Sequence, residues 1–318
     1  MPIISNDDLN YPKPKPYLIS FLAGNVSGIC TRMVCQPLDV IKIRLQLQLE
    51  PRNNGKYKNM AHAIRLIFKE EGIFAFWKGH MPAQYLSMIY GGVQFATYEC
   101  MNNFLKKLYK SNMEQSNTPI ISFLSGSISG IISTSATFPF DLFKTRLVSQ
   151  YETQKVYRGI LHGANIIYHK EGIKGFYKGL TPSIIQIAPY SGLYFMFYST
   201  LKNESRITHK YKIFENHHTI INFIYGAFSG TLAKIIVYPL DTIKKRLQIQ
   251  GFEESRHKFG KFEKYRNFIH CISTIKKNEG FMGYYKGLSP TLLKAGLNTG
   301  LMFYFYDLFC DIFQHSFN

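Results

Sequence analysis

Asp39, Asp141 and Asp241 each stand two residues after a proline and three before a lysine, in Pro37-Leu-Asp39-Val-Ile-Lys42-Ile-Arg44-Leu-Gln46, Pro139-Phe-Asp141-Leu-Phe-Lys144-Thr-Arg146-Leu-Val148 and Pro239-Leu-Asp241-Thr-Ile-Lys244-Lys-Arg246-Leu-Gln248. An acid and a base three apart share one face of a helix. A proline inside that helix removes a backbone hydrogen bond and bends it. Three bent helices around one axis would bring the six charges together. Asp39, Asp141 and Asp241 could then pair with Lys42, Lys144 and Lys244 of neighbouring helices. Gln46 and Gln248 could add hydrogen bonds beneath, which Val148 cannot. The chemistry of such a cluster is opening and closing rather than catalysis. Water partly repays each ion pair that separates, so the closed and open states can differ by only a few kcal/mol.

Other charges fall inside apolar stretches. Arg32 and Lys234 lie five residues before their proline, where the middle copy has Thr134. Lys294 lies seven residues after Gly287, where the other copies have Leu86 and Gln186. An ionisable group inside a span is costly and points to function. Three cations with no matching acid at mid-depth suit a multiply anionic ligand such as a diphosphate. Gln84, Tyr90, Gln186, Tyr190 and Asn298 could supply hydrogen bonds and an aromatic face. No catalytic triad, metal cluster, Walker loop or paired mid-span carboxylates is present, so the chain does not read as an enzyme and no cofactor is expected.

The elements that position these groups follow from the period. One unit of about a hundred residues is used three times, and such repeats decide the fold. Pairs with GxxxG spacing, Gly24/Gly28, Gly126/Gly130 and Gly226/Gly230, precede the prolines at one offset, as close helix approach requires. A second repeat, Glu71-Gly72 to Trp77-Lys78-Gly79, Glu171-Gly172 to Tyr177-Lys178-Gly179 and Glu279-Gly280 to Tyr285-Lys286-Gly287, ends three residues before Pro82, Pro182 and Pro290. Long helices are predicted over 17–48, 81–109, 119–149, 181–204, 218–250 and 289–312. Between the members of each pair lies a short amphipathic segment, such as Ala61 to Lys69, suited to a membrane surface. No charged residue occurs over 81–98, 115–140 or 180–201, and about 20 helical residues cross a hydrocarbon core. The expectation is an all-α membrane protein: six transmembrane helices in three pseudo-threefold repeats, each with a surface helix. The boundaries read as a tail over 1–16 and repeats over 17–112, 113–212 and 213–318.

The net charge of +18 is concentrated in the loops. Segments 42–79, 144–178 and 244–286 hold 26 of the 38 basic residues and 9 of the 20 acidic ones. Nucleic-acid binding is disfavoured because these segments alternate with apolar spans, the pattern of positive loops on one side of a membrane. Cys30, Cys35, Cys100, Cys271 and Cys310 form no CxxC pair, and the residues before position 32 contain no Arg but do contain Asp7 and Asp8. Any organellar signal is therefore expected to be internal.

The triple Pro-x-Asp-x-x-Lys and triple Glu-Gly-x4-aromatic-Lys-Gly motifs resemble the mitochondrial carrier family from about residue 17 to 312. That resemblance implies a monomeric six-helix carrier of the inner mitochondrial membrane, working by alternating access, with both termini in the intermembrane space and cardiolipin as bound lipid. It implies that Asp39, Lys42, Asp141, Lys144, Asp241 and Lys244 form the matrix-side gate. Substrate contact points fall on Leu86/Ser87, Gln186/Ile187 and Lys294/Ala295. The family's cytoplasmic-gate motif is degraded here: Glu99 is followed by Asn102, Ser199 precedes Lys202, and Asp307 is followed by Cys310. At most one motif ion pair is expected there, from Glu99, Lys202 and Asp307. Within the family, Asp39 to Gln46, Phe76 to Gln84 and the loop from Gly251 to Gly260 are similar to carriers of thiamine diphosphate. The expected cargo is thus thiamine diphosphate, exchanged for nucleotides. Adenine nucleotides, pyrimidine nucleotides and coenzyme A are the alternatives.

Overall fold

The computed structural model describes residues 17–50, 55–109, 118–151, 155–208, 218–252 and 262–317. The tail over 1–16 lies outside them. Each repeat is long helix, short helix, long helix: α1 (Tyr17–Leu47), α2 (Met60–Glu71) and α3 (His80–Tyr109); α4 (Thr118–Ser149), α5 (Ile160–Glu171) and α6 (Leu180–Thr208); α7 (His218–Gln248), α8 (Phe268–Glu279) and α9 (Leu288–Phe317). No strand occurs among the described residues. All six long helices begin within one residue of the predicted starts. Their ends differ most in α6 and α9, which run four and five residues further than the loss of apolar pattern suggested.

Local chemistry accounts for the ends. Asn59 and Asn267 cap α2 and α8 by accepting the backbone N–H of His62 and His270, each at 2.8 Å. A side-chain acceptor at this position satisfies a donor the helix cannot. Gly72, Gly172 and Gly280 end the short helices at φ of +79°, +68° and +68°, where a side chain would be strained. Pro37, Pro139 and Pro239 lie inside α1, α4 and α7, as their motifs require. Pro189 lies inside α6 as well.

Two compact units divide the chain. The smaller joins the first part of α1, to Cys35, with the last part of α9, from Leu297. Within it Ser27 donates to the Met302 sulfur at 3.8 Å. The larger runs from Gln36 to Gly296 and holds the three motifs. There α3 packs along α4 and α6 along α7. The base of each proline-bearing helix, α1, α4 and α7, is clamped to its own short helix by an apolar cluster: Ile41 with Tyr57, Ala63 and Ile67; Phe143 with Tyr157 and Ile167; Ile243 with Tyr265 and Ile275. A further cluster of Val40, Ile43, Leu47, Val148 and Ile249 joins the same three helices at their ends. Val148, the departure from Gln at that register, is fully buried in it.

The GxxxG pairs serve close approach in part. A Cβ on Gly130 would come within 3.3 Å of Ile187, and one on Gly226 or Gly230 within 3.5 or 3.6 Å of Tyr194. At Gly24, Gly28 and Gly126 nothing lies within 4 Å. Among the described residues α4, over Ile121–Ser149, is the one helix that passes a test of length and composition for crossing a membrane. Among the others, α1 carries Arg32, Asp39, Lys42 and Arg44 within the helix, and the charge-free stretches of α3 and α6 are diluted by Gln, Tyr, Ser, Gly and Pro; both lower the mean hydropathy. Their outer faces are nonetheless apolar: Phe21, Phe95, Phe195, Phe228 and Phe303 are each more than half exposed. Exposed apolar surface on this scale marks a contact with lipid or a partner rather than with water.

Candidate functional site

The three aspartates are joined to lysines of other helices in a closed cycle. Lys144 of α4 lies 2.6 Å from Asp39 of α1, Lys244 of α7 lies 2.8 Å from Asp141 of α4, and Lys42 of α1 lies 3.3 Å from Asp241 of α7. Each helix thus gives its acid to one neighbour and its base to the other. Gln248 donates to Asp141 at 2.7 Å and accepts from Thr145 at 2.6 Å. Gln46 donates instead to the Tyr238 hydroxyl at 3.0 Å. Tyr238 in turn donates to the Lys286 carbonyl at 3.1 Å, tying α7 to the loop before α9. Gln36 does the same in the first repeat, donating to the Lys78 carbonyl at 2.9 Å.

The second charge on each aspartate was not read from the sequence. Lys294 lies 2.6 Å from Asp39, Lys234 lies 2.7 Å from Asp241, and Lys245 lies 2.9 Å from Asp141. The expectation that Lys234 and Lys294 have no matching acid is therefore corrected. Each takes an aspartate of the cycle, Lys234 that of its own helix and Lys294 that of α1. Both keep some exposure, 28% and 29% of the side chain, against 10% for Lys245. Lys245 also donates to Thr145 Oγ1 at 2.9 Å and Gln248 Oε1 at 3.0 Å.

The remaining expected ligand groups are scattered. Gln84 of α3 contacts the His80 ring at 3.2 Å. Ser87 and Gln186 are half-buried on α3 and α6. Tyr90 is half-buried on α3. The Tyr190 ring lies 6.0 Å from the Lys234 ammonium, a weak cation–π distance. Arg32 and Asn298 belong to the smaller unit; Arg32 is half-buried and Asn298 exposed. Glu99 of the larger unit and Asp307 of the smaller are both exposed, and Lys202 lies 5.8 Å from the centre of the Tyr198 ring.

Two threefold networks lie outside the ion-pair cycle. Arg44, Arg146 and Arg246 each grip a glutamate of the second motif, Glu71, Glu171 and Glu279, through both guanidinium ends. Lys78, Lys178 and Lys286 reach the same carboxylates at 2.6, 2.6 and 2.5 Å. The sequence signal was there, since both motifs repeat with one period. Gln48, Gln150 and Gln250 form the other network, accepting the backbone N–H of Tyr57, Tyr157 and Tyr265 at 2.7, 3.0 and 3.1 Å. The second motif's last glycine closes the packing. A Cβ on Gly79, Gly179 or Gly287 would lie 2.9 Å from the backbone carbonyl of Lys144, Lys244 or Lys42 respectively, and all three glycines have positive φ.

The glutamate clamps make stability depend on acidity. Burial acts to raise the Glu71 and Glu171 carboxyls, but the hydrogen bonds and charges of Arg44 with Lys78, and of Arg146 with Lys178, outweigh it and hold both below the ordinary 4.5. A carboxylate held low in the folded state contributes stability that is full above its unfolded value and lost as pH falls through the folded one. The melting temperature is expected to decline on acidification below pH 4.5. A melting temperature that stays flat from neutral pH through the carboxylate range would count against the clamps.

Among the described residues no group of His, Cys, Asp and Glu could hold a metal ion. The chain matches the sequence profile described as "Mitochondrial carrier protein" over residues 13–109, 115–206 and 215–317. It is 41% identical over 306 residues to the mitochondrial thiamine pyrophosphate carrier of Bos taurus, covering 92% of each chain. It is 40% identical over 302 residues to the Homo sapiens protein of that name, covering 92% of this chain and 91% of the relative. It is 36% identical over 334 residues to mitochondrial thiamine diphosphate carrier 1 of Arabidopsis thaliana, covering 98% and 99%. Three matched repeats, each built as a pair of long helices around a short one, make this chain a member of the mitochondrial carrier family.

Proposed function

We propose that the chain carries thiamine diphosphate into the mitochondrial matrix across the inner membrane by alternating access, in exchange for nucleotides. The observation that carries this reading is the identity of the relatives, which match over nine-tenths of the chain and are named for that cargo. The geometry agrees with it. Lys234 and Lys294 present ammonium groups that are partly exposed and also touch the aspartates of the ion-pair cycle. In this reading the cycle is the matrix gate in its closed state, formed by Asp39, Lys42, Asp141, Lys144, Asp241 and Lys244. Lys234, Lys294 and Arg32 receive the diphosphate, with Gln84, Ser87, Gln186, Tyr190 and Asn298 as further contacts. Glu99, Lys202 and Asp307 form a weak cytoplasmic gate. The protein works as a monomer, with both termini in the intermembrane space and cardiolipin at the matrix side. It is a transporter and not an enzyme.

Adenine nucleotides, pyrimidine nucleotides and coenzyme A share the polyanionic head and are the second reading. The test is uptake by reconstituted vesicles, comparing thiamine diphosphate with those three. Thiamine diphosphate is expected to enter fastest. Lys294→Ala is expected to slow its uptake about tenfold or more, the loss of a charge-assisted contact worth roughly 1.5–3 kcal/mol. Unchanged uptake would remove Lys294 from the site. Faster uptake of a nucleotide would favour the second reading.

A further inference from the structure

Three carboxylates in the gate face six ammonium groups. Asp39 takes Lys144 and Lys294, Asp141 takes Lys244 and Lys245, and Asp241 takes Lys42 and Lys234. The cluster thus holds three positive charges more than its aspartates neutralise. Two of the additional lysines, Lys234 and Lys294, are partly exposed and serve as cargo contacts in the function proposed above. Lys245 is different. It is nearly sealed, with 10% of its side chain exposed.

Lys245 also has no counterpart. The equivalent positions of the other repeats hold Ile43 and Thr145, both buried. Its three partners are Asp141 Oδ1, Thr145 Oγ1 and Gln248 Oε1, at 2.9, 2.9 and 3.0 Å. Three oxygens around one nitrogen match the three N–H donors of an ammonium group. Those contacts, one of them to a carboxylate, favour the charged form where burial opposes it.

We infer that Lys245 is a specificity-determining residue that acts without touching the cargo: it raises the surplus charge of the closed gate to three, and so selects a diphosphate head over a monophosphate. A phosphate monoester carries about −1.5 to −2 at neutral pH, and a diphosphate ester with one more ionised phosphoryl group roughly −3. The diphosphate matches the surplus, and the monophosphate leaves part of it unbalanced. A unit charge about 10 Å away, at an effective dielectric of about 20, changes affinity on the order of tenfold per unit of ligand charge.

This inference rests on the proposed transport function only for where the anion binds, and its test separates the two. Binding of inorganic pyrophosphate and of inorganic phosphate to the purified full chain is measured by calorimetry at fixed salt. The wild type is expected to favour pyrophosphate. Lys245→Gln retains polar contacts to Thr145 and Gln248 but drops the charge, and is expected to shrink that preference on the order of tenfold. Lys245→Arg should retain it. A preference unchanged in Lys245→Gln, or lost equally in Lys245→Arg, would show that Lys245 only packs the gate. Lys245→Thr, which installs the middle repeat's residue, is the second variant should the first fail to fold. A wild type that binds phosphate as tightly as pyrophosphate overturns the inference with no variant needed. Thiamine diphosphate uptake is followed in parallel. Pyrophosphate preference without uptake rejects the cargo and leaves the charge selection standing; uptake without preference does the reverse.

Discussion

Exchanging the charges of Asp141 and Lys244 is expected to restore little transport unless Lys245 is changed as well. Asp141→Lys alone removes the acceptor for Lys244, Lys245 and Gln248 at once. Breaking a buried pair by removing one partner costs about 3–5 kcal/mol, so initial uptake should fall at least a hundredfold. Lys244→Asp alone sets two carboxylates against each other across the α4–α7 junction. In the double variant the new lysine meets the new aspartate, as a simple pair of charges would require. It also meets Lys245, which sat 2.9 Å from the carboxylate now lost. Adding Lys245→Thr removes that repulsion, and the triple variant should recover about tenfold more uptake than the double, the worth of one like-charge contact at intermediate dielectric. The comparison is made on initial rates in vesicles. A triple variant no better than the double would mean that Lys245 does not share the Asp141 site.

The largest loss of stability is expected at Arg246. Its guanidinium is fully buried, grips both oxygens of Glu279, and donates to the carbonyls of Gln46 at 3.1 Å and Gln48 at 3.4 Å. Those carbonyls belong to the last turn of α1 and the residue beyond it, so one side chain joins the first repeat to the third. Arg246→Met fills similar space but leaves two carbonyls without this donor and Glu279 with Lys286 alone. The expected cost is about 3–5 kcal/mol, the range for breaking a buried ion pair from one side. For a chain of this size that is a fall in melting temperature on the order of 10 °C. Arg158, an exposed arginine of the second repeat, is the control, and Arg158→Met should melt as the wild type does. Thermal unfolding of both variants in one detergent decides the matter. Equal melting points would deny the arginine clamp its structural role.

The helices were legible because charge gaps, prolines and glycines mark their ends directly. The ion pairs were only partly so. Motif spacing puts Asp241 and Lys244 on one helix face but does not say which helix each will address. Lys234 lies seven residues before Asp241, two turns along the same face, and that relation could have been read. Lys294 lies 255 residues from Asp39, and only the packing of α9 near α1 in the larger unit brings them together. Lys245 was hidden for another reason. Set between Lys244 and Arg246, it looks like one more cation of a solvated loop end, whereas the fold turns it toward Asp141. Gln48, Gln150 and Gln250 stand at one offset from the prolines in all three copies, but each accepts a loop amide that only the fold brings to it.

The glycines that end the second motif bear on the order in which the protein can be completed. Gly79 seats the backbone of Lys144, Gly179 that of Lys244, and Gly287 that of Lys42. Each unit therefore positions a lysine of the next, and the last positions that of the first. During synthesis the second and third lysines find their seats as soon as they emerge, because the glycine before each has already been made. Lys42 must wait for Gly287, some 245 residues later. The first helix to be made is thus the last to be fixed, and a nascent chain that stops short of Gly287 holds two seated lysines and an unfinished seal.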